Sequence, residues 1–390
     1  MVESFDTIII GLGAMGSSTA YHLAKAGQRV LGLDRFTPPH PFGSSHGQTR
    51  IIREAYFEHP SYVPLVQRAY ALWAELEERS GRPLFVKTGG LMIGPPDGVV
   101  FAGAKRSAEQ HGLAHEVLTA EEVRRRFPAL QPTEDMMAIA EPRAGILFPE
   151  ACIAAHLELA RKQGAKLALE EPVVRWKASK EDVRVFTAHS EFGASRLVLT
   201  AGAWLNSLVP ELNLPLRVER QVLFWFKPIA NSAAFGVDRC PIHIWQFDRD
   251  HFFYGFPDLG NGVKVARHHE GETSAPDSVR REVSRNEVQE MSGLLQRFIP
   301  DAAGPLLEST VCLYTNTPDT HFLIDAHPEF SQVLIVSPCS GHGFKFSSAI
   351  GELVADLIRK GETRYDLRLF KNRFGTAHPT PRELLDPSNG

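Results

Sequence analysis

The chain reads as an α/β protein with a Rossmann-type dinucleotide-binding domain and a second α+β domain built on an antiparallel sheet. Three observations lead there. A glycine fingerprint stands between a β-branched run and an amphipathic segment near the N-terminus. From about residue 217 to 315 the pattern changes to alternating, aromatic-rich runs separated by turns. At 390 residues the chain is also too long for one ordinary core, so two domains are expected.

Thr7-Ile8-Ile9-Ile10 has the composition of a buried parallel strand, and Gly11-Leu12-Gly13-Ala14-Met15-Gly16 follows at once. A helix is expected from about Met15 to Ala26, ending at Gly27. A second strand then runs from Arg29 to Leu33 and closes with Asp34, where a ribose hydroxyl would need an acceptor. Gly11 permits the tight turn, Gly13 lets backbone approach a pyrophosphate, and Gly16 lets helix and strand pack closely. The fingerprint does not separate FAD from NAD. Arg35 could meet a 2′-phosphate, but an exposed loop arginine is the simpler reading.

From Thr37 to Gly43 the chain is Pro-rich, so Ser44-Ser45-His46-Gly47-Gln48-Thr49-Arg50 begins as loop. Helices are expected at Tyr62 to Ser80, stopped by Gly81, and at Ala151 to Gln163, stopped by Gly164. Lys166 to Leu169 and Arg196 to Thr200 read as strands, the second running into Ala201-Gly202-Ala203-Trp204. Alternating strands follow at Val218 to Phe226, Ile242 to Phe247, His251 to Phe256, Val263 to His268 and Ser309 to Tyr314. Near the end, Ser340-Gly341-His342-Gly343-Phe344-Lys345 leads into a helix with Phe346, Ile350, Leu353, Val354, Leu357 and Ile358 on one face. The free N–H groups there suit an anion or an electron-rich carbonyl. No internal repeat or low-complexity tract is visible.

Composition excludes several classes. Hydrophobic residues at 43% and charged residues at 23% describe a globular chain rather than a disordered or collagenous one. Forty-two basic against forty-six acidic side chains leave no positive field to gather nucleic acid or anionic lipid. Arg124-Arg125-Arg126 is most simply a solvated helix face. Thr7 to Ala24 is too glycine- and hydroxyl-rich for a membrane span, and its acidic flank is wrong for a signal peptide. Cys152, Cys240, Cys312 and Cys339 form no CxxC and lie far apart, which argues against zinc or a disulfide scaffold and fits a reducing cytoplasm. Ser388-Asn389-Gly390 does not match the peroxisomal SKL address.

The fingerprint, Ser44 to Arg53, Val311-Cys312-Leu313-Tyr314-Thr315 and Ser340 to Lys345 together resemble the monomeric sarcosine oxidase family, which includes N-methyltryptophan oxidase. The resemblance spans essentially the whole chain. It implies a flavin amine oxidase acting on CH–NH donors: a secondary α-amino acid, sarcosine or another N-methyl or cyclic one, goes to an imine and dioxygen to hydrogen peroxide. It further implies a monomer with a discontinuous, glutathione-reductase-like FAD-binding domain (1–90, 150–216 and 316–390) and a substrate domain (91–149 and 217–315). FAD would be joined through its 8-methyl carbon to Cys312. Other contacts to FAD would come from Gly11, Gly13, Ala14, Met15, Gly16, Asp34, Arg35, Ser44, Ser45, Ile51 and Val173. The later segments would add Ala201, Gly202, Trp204, Tyr314, Cys339, Gly341, His342, Gly343, Phe344 and Lys345.

By the same resemblance His46 and Arg50 lie beside the isoalloxazine ring, Arg53 and Lys345 clamp the substrate carboxylate, and Tyr254 and His268 surround the substrate amine and carboxylate. An arginine suits such a clamp because its planar fork binds a carboxylate through two hydrogen bonds. Lys264 matches the lysine that assists reaction with dioxygen. Two positions depart from the family pattern. Cys339 stands where an aromatic residue is more usual, and Trp245, placed by its spacing to Tyr254, stands where sarcosine oxidase has a methionine. Trp245 would therefore reshape the pocket.

Three rival readings differ in class. A flavin amine dehydrogenase would share the whole site but pass electrons to another acceptor. Gly43-Ser44-Ser45-His46-Gly47 satisfies the GxSxG hydrolase pattern, but a nucleophile elbow needs a strand before it and here a Pro-rich loop precedes. A non-enzymatic dinucleotide-binding protein would retain the fingerprint with no need of Cys312 or the cations Arg53, Lys345 and Lys264.

Overall fold

A computed structural model describes residues 3–373. Ser388-Asn389-Gly390, and with it the end of the 316–390 segment, lies outside the described residues. The first sheet is built around the strand Glu3–Ile10, which pairs in parallel with Val30–Leu33 on one side and Glu191–Leu199 on the other. Lys166–Ala168 and Val333–Ser337 extend it in parallel at either side. Ile8 and Ile9 are completely buried, as a strand covered on both faces requires. A meander through Val173–Ala178 and Val183–Thr187 joins the edge antiparallel, and only the last part of its third strand stood out in the sequence. Helix Ala14–Lys25 packs on helix Ser347–Lys360, where a Cβ on Gly351 would come within 2.1 Å of Ser18 Oγ. Their contact brings the two glycine loops together.

The second sheet runs in the order Leu306–Asn316, Arg217–Phe226, Val263–His268, Phe252–Gly255, Ile242–Gln246, Gly90–Gly94, Met137–Glu141, Glu116–Thr119. Its neighbours are antiparallel except for Ile242–Gln246 beside Gly90–Gly94, a parallel pair that joins strands far apart in sequence. One face packs against helix Arg285–Phe298 through Met291, Leu295 and Phe298. That helix, absent from the sequence reading, opens with a capping box in which the Ser284 hydroxyl accepts from Glu287 N–H. The opposite face carries Leu223, Ile244, Tyr254, Phe256 and Cys312 toward the glycine loops. A three-stranded sheet, Arg50–Ile52, Gly145–Leu147 and Phe85–Lys87, lies between the two layers in sequence.

The arginine run lies on the short helix Ala120–Arg126, where Arg124 and Arg126 pair with Glu134 and Glu116. Among the described residues no helix is long and apolar enough to cross a membrane.

Candidate active site

One cavity runs between the layers, from the fingerprint at one end to Arg53 and Lys345 at the other. At the first end Gly11 has φ +93°, and a Cβ there would lie 2.6 Å from the Thr200 carbonyl oxygen. A Cβ on Gly16 would lie 1.8 Å from the Gly11 carbonyl oxygen, whereas one on Gly13 would meet nothing within 4 Å. Gly11 and Gly16 are therefore constrained by the protein itself, and Gly13 leaves room for a ligand. Helix Ala14–Lys25 starts at Gly13 with no side-chain cap and no acid in its first turn, so its positive end serves the cavity. Ala14 and Met15 line the wall.

Asp34 also lines this end. Its Oδ2 accepts from Leu12 N–H at 2.6 Å and its Oδ1 from Phe36 N–H at 2.8 Å. Burial raises its pKa, and those two N–H groups oppose the rise. Arg35 ion-pairs with Asp277 at 2.9 Å and lies over the rings of Phe36 and Trp204. Val173, Ala201, Gly202 and Trp204 complete this part of the wall.

In the middle, Ser44, Ser45, Ile51 and Tyr314 line the cavity around Cys312. The Cys312 thiol is 3.4 Å from the Ser44 carbonyl and 3.4 Å from Arg50 Nη2, and the same guanidinium donates to Ser44 and Thr49 carbonyls. Burial works against the Arg50 charge, but Cys312, Tyr254 and Tyr314 more than restore it, leaving its pKa raised. His46 is buried with its Nε2 unpartnered. Burial first, then the charge of Arg50, lowers its pKa to about 3, so the ring is neutral.

Lys264 is buried and does not line the cavity. Its Nζ donates to Gly47 O at 2.6 Å, Thr49 O at 3.0 Å and Thr49 Oγ1 at 2.8 Å, with the rings of Trp225 and Phe256 nearby. Burial and Arg50 push its pKa well below the lysine range, while three acceptors and two ring faces favour the ammonium.

At the far end Arg53 is buried, with Nη2 on both carboxylate oxygens of Glu58 at 2.8 and 2.7 Å and Nη1 on the Ala55 carbonyl. Its Nε has no partner. Burial raises Glu58, but Arg53 and Lys345 hold its carboxyl below the usual range, so it is ionised. A carboxylate thus already occupies the arginine. Lys345 Nζ donates to the His342 carbonyl at 2.7 Å, and burial followed by the charge of Arg53 lowers its pKa to about 7.

Burial raises the Tyr254 phenol and depresses His268 well below the histidine range, so both are uncharged. His268 Nδ1 lies 3.3 Å from Tyr314 Oη. A Cβ on Gly341, at φ +74°, would collide with Tyr314 and His268 at 2.6 and 2.8 Å, so only glycine lets this loop approach. Cys339, His342, Gly343 and Phe344 line the same stretch, and burial raises the Cys339 thiol to about 11.

Residues 6–357 match the family model described as FAD dependent oxidoreductase. The chain is 45% identical to monomeric sarcosine oxidase of Streptomyces avermitilis, over 97% of this chain and 100% of the relative. The chain belongs to the monomeric sarcosine oxidase family of FAD-dependent oxidoreductases. N-methyl-L-tryptophan oxidase of Salmonella arizonae is 35% identical, over 95% of this chain and 99% of that one. Among solved structures, the amino acid oxidase NikD superposes with a TM-score of 0.82 at 25% identity, covering 94% of this chain and 96% of its own. L-proline dehydrogenase from P. horikoshii gives 0.80 at 24%, covering 94% and 96%. Both share this fold. FAD is the family's cofactor, and the fit is physical: the Gly13 opening, the uncapped helix end and Asp34 stand where a dinucleotide needs space, N–H donors and an acceptor.

Within this family member one expectation is corrected. Trp245 is not a pocket wall. It is fully buried on the opposite face of the sheet, stacked on Phe253 at 5.5 Å and packed on Phe298. The three-residue loop Asp248-Arg249-Asp250 closes on Phe247 N–H to His251 O, so the register pairs Ile244 with Tyr254 and Trp245 with Phe253. A one-residue shift exchanges the faces, and Ile244 lines the cavity instead. The turn spacing was present in the sequence and could have placed Ile244. Glu58, five residues beyond Arg53, and Phe57 beside it were also missed. No periodicity marks either one, because the stretch between them is irregular backbone.

Proposed function

We propose that this oxidase converts a secondary α-amino acid, sarcosine or another N-methyl or cyclic one, to its imine, with dioxygen reduced to hydrogen peroxide. The observation that carries the reading is the pair of buried cations, Arg53 and Lys345, at the cavity end reached by Tyr254 and His268. FAD, when bound, supplies the two-electron acceptor. The substrate carboxylate takes the place of Glu58 on Arg53 and is met by Lys345, which fixes the orientation of the amine. Tyr254 and His268, both uncharged, offer hydrogen bonds to the amine without adding charge beside it. Ile244, Phe57 and Ile51 bound the space left for the N-substituent. Hydrolysis of an N-methyl imine in water then releases formaldehyde.

Cys312 is assigned as the covalent attachment to the flavin 8-methyl carbon, with Arg50 Nη2 lying 3.4 Å from its sulfur. Lys264 is assigned to the dioxygen half-reaction, with His46 and Arg50 beside it at the ring. The remaining wall residues from Gly11 to Phe344 are assigned to FAD contact. Residues 1–90, 150–216 and 316–390 are proposed as the FAD-binding domain and 91–149 with 217–315 as the substrate domain. The working form is proposed as a cytoplasmic monomer, in keeping with four unpaired cysteines.

The test is a panel of secondary amino acids with peroxide as readout, run beside denaturing electrophoresis of wild type and Cys312→Ala. Peroxide formed from at least one N-methyl or cyclic amino acid, and flavin fluorescence that follows the wild-type band but not the variant, are expected. Dye reduction without peroxide would make the enzyme a dehydrogenase. Fluorescence retained on Cys312→Ala would move the attachment elsewhere.

A further inference from the structure

Lys345 heads a chain of hydrogen bonds that ends on a loop carbonyl. Its Nζ donates to Tyr56 Oη at 3.4 Å. Tyr56 Oη lies 2.6 Å from His342 Nδ1, and His342 Nε2 lies 2.9 Å from the Thr320 carbonyl oxygen. A carbonyl can only accept, so Nε2 carries the ring proton. Burial lowers His342 to about 3, so the imidazole is neutral and Nδ1 is bare. Nδ1 can then only accept, and at 2.6 Å it takes the one proton of Tyr56 ahead of the His342 carbonyl, which lies at 3.4 Å. The tyrosine lone pairs are left facing Lys345. Each direction in the chain thus follows from the Thr320 carbonyl, presented by a residue at φ +62°.

The neighbourhood gives this orientation a purpose. Arg53 and Arg50 oppose a charge on Lys345, Glu58 favours one, and His268 and His342 are neutral. The Tyr56 and Phe346 rings lie 5.2 and 5.4 Å from Nζ. A hydroxyl that presented its hydrogen to Nζ would side with the arginines. His342 prevents that, and its ring is held by stacking on Phe322 at 4.8 Å.

We propose that His342 and Tyr56 are positioning residues that keep Lys345 an ammonium for carboxylate capture, their polarity set by the Thr320 carbonyl. The inference rests on the reading of Lys345 as half of the carboxylate clamp. Acetate, which has a carboxylate and no amine, probes it, with binding to holoenzyme read from the flavin absorption spectrum as a function of pH. Affinity in the wild type should fall as pH rises through the Lys345 value, because the ammonium exists below it and is lost above it. In His342→Leu that fall should move about one pH unit lower, leaving binding roughly tenfold weaker on the alkaline side. Tyr56→Phe should do the same. In His342→Gln the amide nitrogen can donate to Thr320 O and the amide oxygen accept from Tyr56, so the midpoint should return to that of the wild type.

A His342→Leu or Tyr56→Phe profile that superimposes on wild type would overturn the inference, as would His342→Gln falling with His342→Leu. If the leucine variant does not fold, Tyr56→Phe and His342→Gln decide the matter. Lys345→Met separates the two layers of the argument. Undiminished acetate binding in Lys345→Met overturns the clamp itself. Lost binding there with an unmoved Tyr56→Phe profile overturns only the positioning role.

Discussion

The two ends of the cavity are made by different means. The nucleotide end uses backbone: Gly11, Gly13 and Gly16, one helix terminus and the carboxylate of Asp34, already satisfied by two N–H groups. The substrate end uses side chains from separated segments: Arg53 and Glu58, Ile244 and Tyr254, His268, and Lys345, with three charged groups enclosed together. Backbone sites are dictated by neighbours in sequence. Side-chain sites depend on which distant partners the fold brings into contact, and enclosed charges are held only while each has a partner.

The largest break in that contrast is expected at the backbone end. Gly16→Val would force a Cβ onto the Gly11 carbonyl, and the variant should purify with little or no flavin, measured as the ratio of flavin to protein absorbance. Gly13→Ala sharpens the point. With open space at that position, its FAD content should fall while the melting temperature of the flavin-free protein matches that of flavin-free wild type.

Next comes Lys264, buried between the two regions. A unit charge pair at about 4 Å and an effective dielectric near 20 is worth roughly 4 kcal/mol, or at most about a thousandfold in rate. Lys264→Met should slow reoxidation by dioxygen far more than anaerobic reduction by substrate, the two being followed separately by stopped-flow absorbance. Normal reoxidation with impaired reduction would transfer Lys264 to substrate handling.

Arg53→Ala should raise KM and lower kcat together, by about ten- to a hundredfold in kcat/KM, because a charge-assisted hydrogen bond contributes roughly 1.5–3 kcal/mol. Glu58→Gln removes the competing carboxylate and should lower KM while also lowering the melting temperature, since Arg53 then stays buried without its counter-ion. A higher KM in Glu58→Gln would show that Glu58 helps substrate bind rather than competing with it.

The smallest effects belong to the two adjacent residues on opposite faces of one strand. Ile244→Ala should change the preference among N-substituents by about tenfold, near the lower end of the roughly 1–3 kcal/mol that a methylene group contributes in a pocket. Trp245→Phe should lower the melting temperature and leave that preference alone. The reverse pattern would place Trp245 in the pocket after all.

Several elements were legible because neighbouring residues specify them. The strand Glu3–Ile10, its glycine turn and helix Ala14–Lys25 follow from β-branched residues, glycines and a helical face within one short stretch. Helix Val63–Ser80 ends where Gly81 adopts φ +67°. Helix Arg285–Phe298 was not legible in the same way, as its polar, solvent-facing majority obscures three buried apolar positions. The register that hides Trp245 turned on one residue of loop length.

The amino-acid sequence by itself determined the dinucleotide fold and its glycine roles, because those depend on local backbone geometry. With the resemblance, it also supplied the identity of most residues around the cavity. Tertiary structure alone decided their partnerships: Lys345 on Tyr56, Lys264 on the backbone of Gly47, 217 positions away, and Tyr56 turned toward His342. The physical reason is that a buried charge or proton takes its state from whatever lies within a few ångströms, and in these cases the neighbours come from distant parts of the chain.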